Sequence, residues 1–177
     1  MAAERRVFFA LWPDDRIARL FEETGRRAGE NLGGRRMRRE TLHLTLAFIG
    51  GIASERLVDL QEIAGAIHLS PFELTFDRLQ CLPRKKIAWA SASASPSGVL
   101  ELAAGLNAQL KAGGFHTEER PFATHVTLVR NATCEAGMAE ESLSIVWSVR
   151  NFVLAESERR AEGAHYRILG CWPLDQT

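Results

Sequence analysis

Few cysteines, no net charge and no long apolar run characterise this sequence of 177 residues. Its three cysteines, Cys81, Cys134 and Cys171, are odd in number and widely spaced, so they predict neither a disulfide framework nor a zinc knuckle. Buried thiols in a reducing cytoplasm are therefore expected. No stretch approaches the roughly 18 consecutive apolar residues of a membrane span, and the N-terminal apolar run is too short for a signal peptide.

The charges balance, with 22 basic and 22 acidic residues, which argues against binding nucleic acid over the whole surface. The basic residues comprise 19 arginines and only three lysines, and six of the arginines lie between Arg26 and Glu40. The planar guanidinium group suits the recognition of phosphate. Codon bias in a genome produces the same composition, so the ratio alone assigns no function.

Short strands alternate with three amphipathic helices along the chain. The helices are expected to begin at Asp14–Asp15, at Ser54 and at Ser95–Pro96, each ahead of apolar residues at helical spacing. Strands are expected at residues 7–12, 41–49, 72–76, 87–92, 122–129, 145–154 and 166–172. Several strands are hairpin-like, which favours an α+β fold over a doubly wound parallel sheet. No glycine-rich phosphate loop joins a strand to a helix, so a nucleotide-cofactor fold is not expected.

One short internal repeat carries the functional signal. The letters HLTL, which begin at His43, recur as HVTL beginning at His125, and both copies fall inside expected strands. Residues two apart on a strand share a face, so His43 and Thr45 point to one side and the aliphatic residues between them to the other. The same alternation places His125 and Thr127 on one face.

Paired histidines on facing strands are suited to acid–base chemistry. A single His-x-Thr is most often structural, but two copies half a chain apart indicate a duplicated lobe whose equivalent strands face each other across a cleft. Two imidazoles with a pKa near 6.5 can hold opposite protonation states near neutral pH. Hydroxyl groups beside them suit an anion with several oxygens, and an acid and a base on opposite sides of one phosphorus suit cleavage of a phosphodiester.

A metal site is the competing interpretation of the two histidines. Zinc and iron sites usually have three or four protein ligands, and His68, His116 and His165 have no companion cysteines. No G-x-S-x-G elbow is present, so a serine nucleophile is not expected either. The sequence therefore predicts neither a metal nor a cofactor.

The paired H-x-T-L motifs resemble those of the two-histidine (2H) phosphoesterase superfamily. Within it, the chain is most similar to bacterial RNA 2′,3′-cyclic phosphodiesterases of the LigT/ThpR type, also called 2′-5′ RNA ligases. The resemblance covers nearly the whole chain, in RVFFAL, TLHLTLAFIG, IAW and RPFATHVTLVR, and in Tyr166 and Trp172. It implies one bilobal domain over residues 1–177: two pseudo-symmetric lobes of antiparallel sheet, with outer helices, around a central groove. The first lobe carries the motif at 43–46 and the second that at 125–128.

The resemblance also implies an activity, which is hydrolysis of a 2′,3′-cyclic phosphate at an RNA end to a 2′-phosphate without metal or cofactor. Reversible 2′-5′ joining of RNA is the implied side activity. His43 would donate a proton to the departing 3′ oxygen, His125 would activate water, and Thr45 and Thr127 would hold phosphate oxygens. Arg130 matches the family pattern as a candidate phosphate ligand, although strict alternation turns it away from His125 unless the strand bulges. The expected partners are RNA ends or nucleotide cyclic phosphates, with no membrane, and the chain is expected to be a monomer.

Other interpretations stay open from the sequence. A non-catalytic RNA-binding module would use the same groove, and a different small cyclic phosphate or a 2′-5′ oligonucleotide is the alternative substrate. The arginines at 35–39 would either steer an RNA backbone or form a solvated loop. Alternation assigns Phe48 to the aliphatic face, and Phe48, Trp89 and Trp172 are all expected in the core. Thr124 stands where the family often has proline, which implies a looser entry to the second motif strand.

Overall fold

A computed structural model of the chain describes residues 4–135 and 140–175. Within these ranges there are three α-helices, nine strands and two short 3₁₀ helices, the latter at Arg39–Thr41 and Ser54–Arg56. The α-helices are α1 (Asp15–Leu32), α2 (Leu57–Gly65) and α3 (Ser97–Ala112). The strands are β1 (Glu4–Leu11), β2 (Arg35–Arg36), β3 (Leu44–Ala53), β4 (Phe72–Leu82), β5 (Ile87–Ser91), β6 (His125–Arg130), β7 (Glu141–Val149), β8 (Asn151–Arg160) and β9 (Gly163–Pro173).

The strands form two antiparallel sheets. The first sheet has the order β3-β1-β8-β9, and the second has the order β2-β6-β5-β4-β7. Together with the helices they make an α+β fold, as the sequence predicts. In the part of the chain that the structure describes, no helix is both long and apolar enough to cross a membrane.

Two of the helices begin where the sequence places them. The side chain of Asp14 caps α1 by accepting a hydrogen bond from the Ile17 amide at 2.9 Å, which satisfies an amide that has no partner inside the helix. Helix α3 begins directly after Pro96 and ends at Ala112, before the glycine pair at 113–114. Of the apolar positions that the helical spacing predicts in α1, Ile17, Phe21, Thr24 and Ala28 are buried, whereas Leu20 is 41% exposed.

Each long helix packs on the sheet opposite to the strand that precedes it. Helix α1 follows β1 of the first sheet but lies on β6 and β7 of the second, and α3 follows β5 but lies on β3 of the first. Phe21 of α1 meets Phe76 edge-to-face at 5.0 Å and Trp147 at 6.2 Å, both on the second sheet. One cluster of buried apolar side chains therefore includes residues of both sheets.

The two motif strands are brought together by this exchange. Strand β3 is an edge of the first sheet, and β6 lies in the second sheet beside the two-residue β2. The two strands lie against each other across the boundary between the sheets. The side chains at their starts consequently share one groove.

Two expectations about the strands were wrong. Residues 145–154 form two strands rather than one, because β7 ends at Val149 and β8 begins at Asn151 in the other sheet. Apolar character continues across the break, so the sequence pattern does not reveal the change of sheet. Arg35 and Arg36, expected in a loop, pair with β6 as β2, with Arg35 opposite Arg130.

The expectation for the cysteines was also wrong. Cys81 and Cys134 form a disulfide, with their Cα atoms 5.5 Å apart. Strand order explains the pairing: Cys81 lies opposite Ala88 of β5, and the chain turns back after β6, where the Ala132 amide donates to the Lys86 carbonyl at 2.9 Å. Cys171 is a free thiol, and it is exposed rather than buried.

Candidate active site

One small cavity lies between the two motif strands. It has a volume of about 120 Å³, and Met37 and Thr41 form part of its wall. The structure brings all five sequence-predicted site residues to this cavity, which are His43, Thr45, His125, Thr127 and Arg130. The two imidazoles therefore face the same cavity, as the duplicated motif predicts.

Both histidines are oriented by the same backbone contact. Nδ1 of His43 lies 2.7 Å from the carbonyl oxygen of Thr41, and Nδ1 of His125 lies 2.7 Å from that of Ala123. A carbonyl oxygen only accepts, so Nδ1 of each ring carries a hydrogen and donates it. In the neutral ring, Nε2 is then the atom with the free lone pair. Each histidine thus presents a proton-accepting nitrogen until it is itself protonated.

The pKa of each histidine is lowered from its ordinary value. Burial lowers the pKa of His43 to about 4, the nearby charges of Arg130 and His125 add to this, and the hydrogen bond to Thr41 opposes it. Burial also lowers the pKa of His125, with a further lowering from Lys85 and Arg130. Both rings are therefore mainly neutral near pH 7 in the free protein. A bound phosphate anion would raise both pKa values.

Aromatic rings surround His43 more completely than His125. Trp12 stacks on His43 at 5.0 Å with 9° between the ring planes. Phe8 and Tyr166 approach the same imidazole at 5.0 Å and 5.1 Å. His125 contacts a single indole ring, that of Trp89, at 4.2 Å and with a tilt of 38°. Sequence analysis missed Trp12 because it is only the last residue of the first expected strand, 7–12, and nothing in that pattern shows that it would face a histidine.

A β-bulge follows each H-x-T motif. The pairing of β3 with β1 skips Leu46, and the pairing of β6 with β5 skips Leu128. An extra residue of this kind shifts the alternation of side chains by one position. Accordingly, Leu46 and Ala47 are both buried although they are adjacent, and so are Leu128 and Val129.

The second bulge settles the orientation of Arg130. The bulge at Leu128 moves every later side chain of β6 to the face opposite the one that strict alternation predicts. Arg130 therefore faces the cavity with His125 and Thr127. Strict alternation had placed Arg130 on the far side. In the sequence, this bulge corresponds only to the adjacent apolar pair at 128–129.

The first bulge has the same effect on Phe48. Its ring is half-buried and lines the groove rather than the core, and the guanidinium of Arg6 lies 4.8 Å from the ring centroid. The expectation of a core position was therefore wrong. It assumed an unbroken alternation from His43 to Phe48.

An aromatic pocket of about 310 Å³ adjoins the cavity on the side of Phe48, and it shares Thr45 and His125 with it. Trp89 and Phe122 also line this pocket, so the expectation that Trp89 lies in the core was wrong. The indole Nε1 of Trp89 donates to the side chain of a glutamine on β4, Gln80, at 3.0 Å.

The other tryptophan expected in the core does pack there. Trp172 lies against Phe152 at 5.8 Å with nearly parallel rings, and against Phe9 at 6.3 Å. Thr124, which stands where the family often has proline, makes two hydrogen bonds at the entry to β6. The hydroxyl of Thr124 is 2.7 Å from that of Ser95, and its carbonyl accepts from the Ala92 amide at 3.3 Å.

The cavity holds two imidazoles, one guanidinium and the hydroxyls of Thr45 and Thr127, while the hydroxyl of Thr41 donates to the Arg38 carbonyl. Across residues 4–135 and 140–175, no group of three or more histidine, cysteine, aspartate or glutamate side chains is placed to hold a metal ion. The cavity's groups can give and take protons and donate hydrogen bonds to an anion. That combination suits a phosphate ester.

Two H-x-T strands that face one cavity, on two antiparallel sheets, define a two-histidine phosphoesterase. Residues 11–89 match the family described as LigT like phosphoesterase. The chain is 30% identical to the RNA 2′,3′-cyclic phosphodiesterase of Escherichia coli (strain K12), over 99% of this chain and 100% of that protein. The chain belongs to the LigT-like phosphoesterase family.

Further relatives and solved structures agree with this assignment. A protein of Archaeoglobus fulgidus with the same name is 25% identical over 93% of this chain and 97% of its own length. The crystal structure of E. coli LigT complexed with 3′-AMP superposes with a TM-score of 0.89, at 29% identity, covering 98% of this chain and 100% of that one. A crystal structure from Thermus thermophilus gives a TM-score of 0.81 at 26% identity, covering 96% and 97% of the two chains.

Proposed function

We propose that this protein hydrolyses the 2′,3′-cyclic phosphate at the 3′ end of RNA to a 2′-phosphate, using His43 and His125 as acid and base. One observation carries the proposal: two imidazoles, each fixed through Nδ1 by a backbone carbonyl, face the same cavity of about 120 Å³. Relatives named RNA 2′,3′-cyclic phosphodiesterase, which match nearly the whole chain, support this choice of substrate. We treat residues 1–177 as one bilobal unit for this activity.

In the proposed reaction, water attacks phosphorus and the bond from phosphorus to O3′ breaks. Nε2 of His125 takes a proton from the water, and Nε2–H of His43 gives one to O3′, which leaves as the 3′-hydroxyl. The phosphate stays on O2′. Exchange of one proton with solvent at each ring restores the starting state. An RNA 5′-hydroxyl in place of water would give a 2′-5′ phosphodiester by the same steps.

The remaining side chains of the cavity would act on the phosphate oxygens. The hydroxyls of Thr45 and Thr127 can donate to the two non-bridging oxygens, one from each strand. The guanidinium of Arg130 offsets the negative charge that grows on these oxygens as water adds. These donors are held in place by β3 and β6, so they need little reorganisation during the reaction.

Substrate binding would decide whether His43 carries the proton that it donates. Its pKa of about 4 in the free protein leaves it mostly neutral at pH 7, yet the proposed acid must carry a proton. A cyclic phosphate anion beside the ring would raise this pKa, since it stabilises the imidazolium. The family resemblance makes His43 the acid, and the near-equivalence of the two strands makes the reverse assignment chemically similar.

Product analysis tests the proposal. An oligoribonucleotide with a 2′,3′-cyclic phosphate end is incubated with the protein in excess EDTA, and we expect a 2′-phosphate product. His43→Ala and His125→Ala should each lower the rate at least about 100-fold, whereas His68→Ala, outside the cavity, should not. A wild-type protein that binds the oligonucleotide but opens no cyclic phosphate would instead support an RNA-binding module.

A further inference from the structure

An arginine-lined pocket also adjoins the histidine cavity, and it is separate from the aromatic pocket that Phe48 lines. Its volume is about 570 Å³, and it shares Thr41 and Arg130 with the cavity. Its lining includes six guanidinium groups, from Arg6, Arg35, Arg38, Arg130, Arg159 and Arg160. Among the residues that the structure describes, no aspartate or glutamate lines it.

Most of these charges are uncompensated by the protein itself. Arg38 pairs with Glu40 at 3.4 Å and Arg160 with Glu158 at 2.8 Å, and these pairs are exposed and therefore weak. No ion pair within the described ranges involves Arg35 or Arg159.

The neighbouring Arg39 behaves differently, because it pairs with Glu22 at 2.6 Å and with Asp15 at 3.4 Å, away from the pocket. The cluster at 35–39 is thus split. Arg35 and Arg38 line the arginine-lined pocket, while Arg39 pairs with two carboxylates of α1.

The fold places like charges directly opposite each other. Arg35 of β2 lies opposite Arg130 of β6 in the antiparallel pairing. A cross-strand pair of like charges is destabilising on its own. An anion bound between the two groups would remove this repulsion, and guanidinium groups bind phosphate oxygens in a bidentate manner. This juxtaposition points to a second anion beside the one in the cavity.

We propose that the arginine-lined pocket binds a second phosphate ester of the substrate, adjacent to the cyclic phosphate. This inference rests on the proposed function, since it requires the cyclic phosphate in the histidine cavity. Arg130 would then lie between the two phosphates. The second phosphate has two sources, which are the backbone of an RNA strand and the 5′-phosphate of a free nucleotide. In either case, a substrate with a second phosphate should have a higher kcat/KM than a bare nucleoside cyclic phosphate.

A series of four substrates distinguishes these sources. It consists of a nucleoside 2′,3′-cyclic phosphate, its 5′-phosphorylated form, and a dinucleotide and a tetranucleotide with the same cyclic-phosphate end. We expect kcat/KM to rise at least about tenfold from the first to the best of the others, and to fall more steeply with salt for the longer ones. A full gain from the 5′-phosphate identifies a nucleotide, and a gain only in the oligonucleotides identifies the backbone. Equal kcat/KM across the series would overturn the proposal.

Variants locate the effect in the pocket. In Arg35→Gln and Arg159→Gln, the advantage of the tetranucleotide over the nucleoside cyclic phosphate should shrink about tenfold, with a salt slope lower by about 1. Arg150→Gln, an exposed arginine outside the pocket, should keep the full advantage. An unchanged advantage in both pocket variants would contradict the assignment of the pocket.

Failure of the two proposals can be told apart. If no cyclic phosphate is opened, the proposed function fails, and the affinity for a 2′-phosphate-ended tetranucleotide still tests the pocket. Weaker binding by Arg35→Gln and Arg159→Gln than by wild type supports the pocket. Equal binding by all three proteins rejects it. If every substrate is opened equally well, only the pocket proposal fails.

Discussion

Phe48 and Arg130 occupy equivalent positions in the two motif strands, each five residues after a motif histidine and two residues beyond a β-bulge. The two bulges turn both side chains towards the groove. The near-symmetric strands therefore place an aromatic ring in the aromatic pocket and a guanidinium in the arginine-lined pocket. A symmetric catalytic centre thus receives an asymmetric pair of flanking pockets, one suited to a base and one to phosphate.

Removal of the Phe48 ring should weaken substrate binding more than it slows the reaction. Stacking of a base on an aromatic side chain contributes about 1–3 kcal/mol, so Phe48→Ala should raise KM for a nucleoside cyclic phosphate by about 10-fold or more with a smaller change in kcat. Phe48→Tyr retains the ring and serves as the control. Steady-state kinetics measure both parameters. A large fall in kcat at constant KM would place Phe48 in the reaction itself rather than in the binding of a base.

The pH dependence of kcat/KM should reflect two lowered histidine pKa values. The proposed mechanism needs one protonated and one neutral imidazole, and burial lowers the pKa of His43 to about 4 and also lowers that of His125. The singly protonated free enzyme is then most abundant below pH 6.5. We expect kcat/KM, which reports the free enzyme, to rise as the pH falls from 8 to below 6.5 and to decline again at lower pH.

The profile of kcat provides the comparison, since it reports the substrate complex. The bound anion raises both pKa values, so the maximum of kcat should lie at higher pH than that of kcat/KM. Both profiles are measured at constant ionic strength. A kcat/KM that climbs steadily through pH 7 and 8 would contradict the proposed pair of roles.

The sequence predicts the site residues only as far as side chains alternate regularly along each motif strand. The repeated H-x-T identifies His43 and His125 and their threonines because alternation holds over three residues. It fails at Phe48 and Arg130, because one extra residue in a strand reverses every side chain after it. The sequence shows that extra residue only as two adjacent apolar positions. Such pairs are common in buried strands, so alternation alone cannot rank them as bulges.

The fold shows the same division between local and long-range information. Helix α1 follows from its capping aspartate and apolar spacing, which are local. The division of 145–154 between two sheets, and the pairing of Cys81 with Cys134, depend on strand order. Strand order is set by packing between segments far apart in the chain. Family resemblance supplied the two-sheet architecture that the local patterns could not.

Stacking of Trp12 on His43 should contribute to the low pKa of this histidine. The indole lies parallel to the imidazole at 5.0 Å and excludes water from its face. In Trp12→Ala, the pKa of His43 should rise from about 4 towards its ordinary value, because burial is the largest cause of the shift. NMR titration of the histidine ring protons measures this change. The resonance of His125, which contacts Trp89 instead, should move less and provides the internal control.

The carboxylate of Glu156 should make the first sheet sensitive to acid. It accepts two hydrogen bonds from Arg5 at 2.7 Å and two from Arg167 at 2.7 Å and 3.2 Å, and its side chain is 9% exposed. The hydrogen bonds from Arg5 are the main cause that lowers the pKa of Glu156 to about 2, although burial opposes them. Because the pKa of Glu156 is lower in the folded protein than in the unfolded chain, its carboxylate stabilises the fold fully above pH 4.5. This stabilisation is lost as the pH falls from about 4.5 towards 2.

Glu156→Gln should therefore lower the free energy of unfolding by about 2 kcal/mol at pH 7, because the neutral amide no longer accepts charge-assisted hydrogen bonds from Arg5 and Arg167. Urea unfolding at pH 7 and at pH 3 measures the difference from wild type, which should shrink at the lower pH. Glu101→Gln, on the exposed face of α3, is the matched control and should change stability by less than about 0.5 kcal/mol. A difference from wild type that stays constant from pH 7 to pH 3 would show that the carboxylate charge is not responsible.

The Cys81–Cys134 disulfide should stabilise the second sheet through its 53-residue separation in sequence. A cross-link of this length restricts the unfolded chain and is worth about 2–4 kcal/mol, so Cys134→Ser should lower the unfolding midpoint in urea. Wild type in dithiothreitol should unfold at the midpoint of the variant, because both lack the cross-link. Cys171→Ser, at the exposed free thiol, should leave the midpoint unchanged. Alkylation under denaturing conditions should modify one thiol of the wild-type protein without reductant and all three after reduction. Modification of three thiols without reductant would contradict the Cys81–Cys134 disulfide. It would agree instead with the free thiols that the sequence predicts in a reducing cytoplasm.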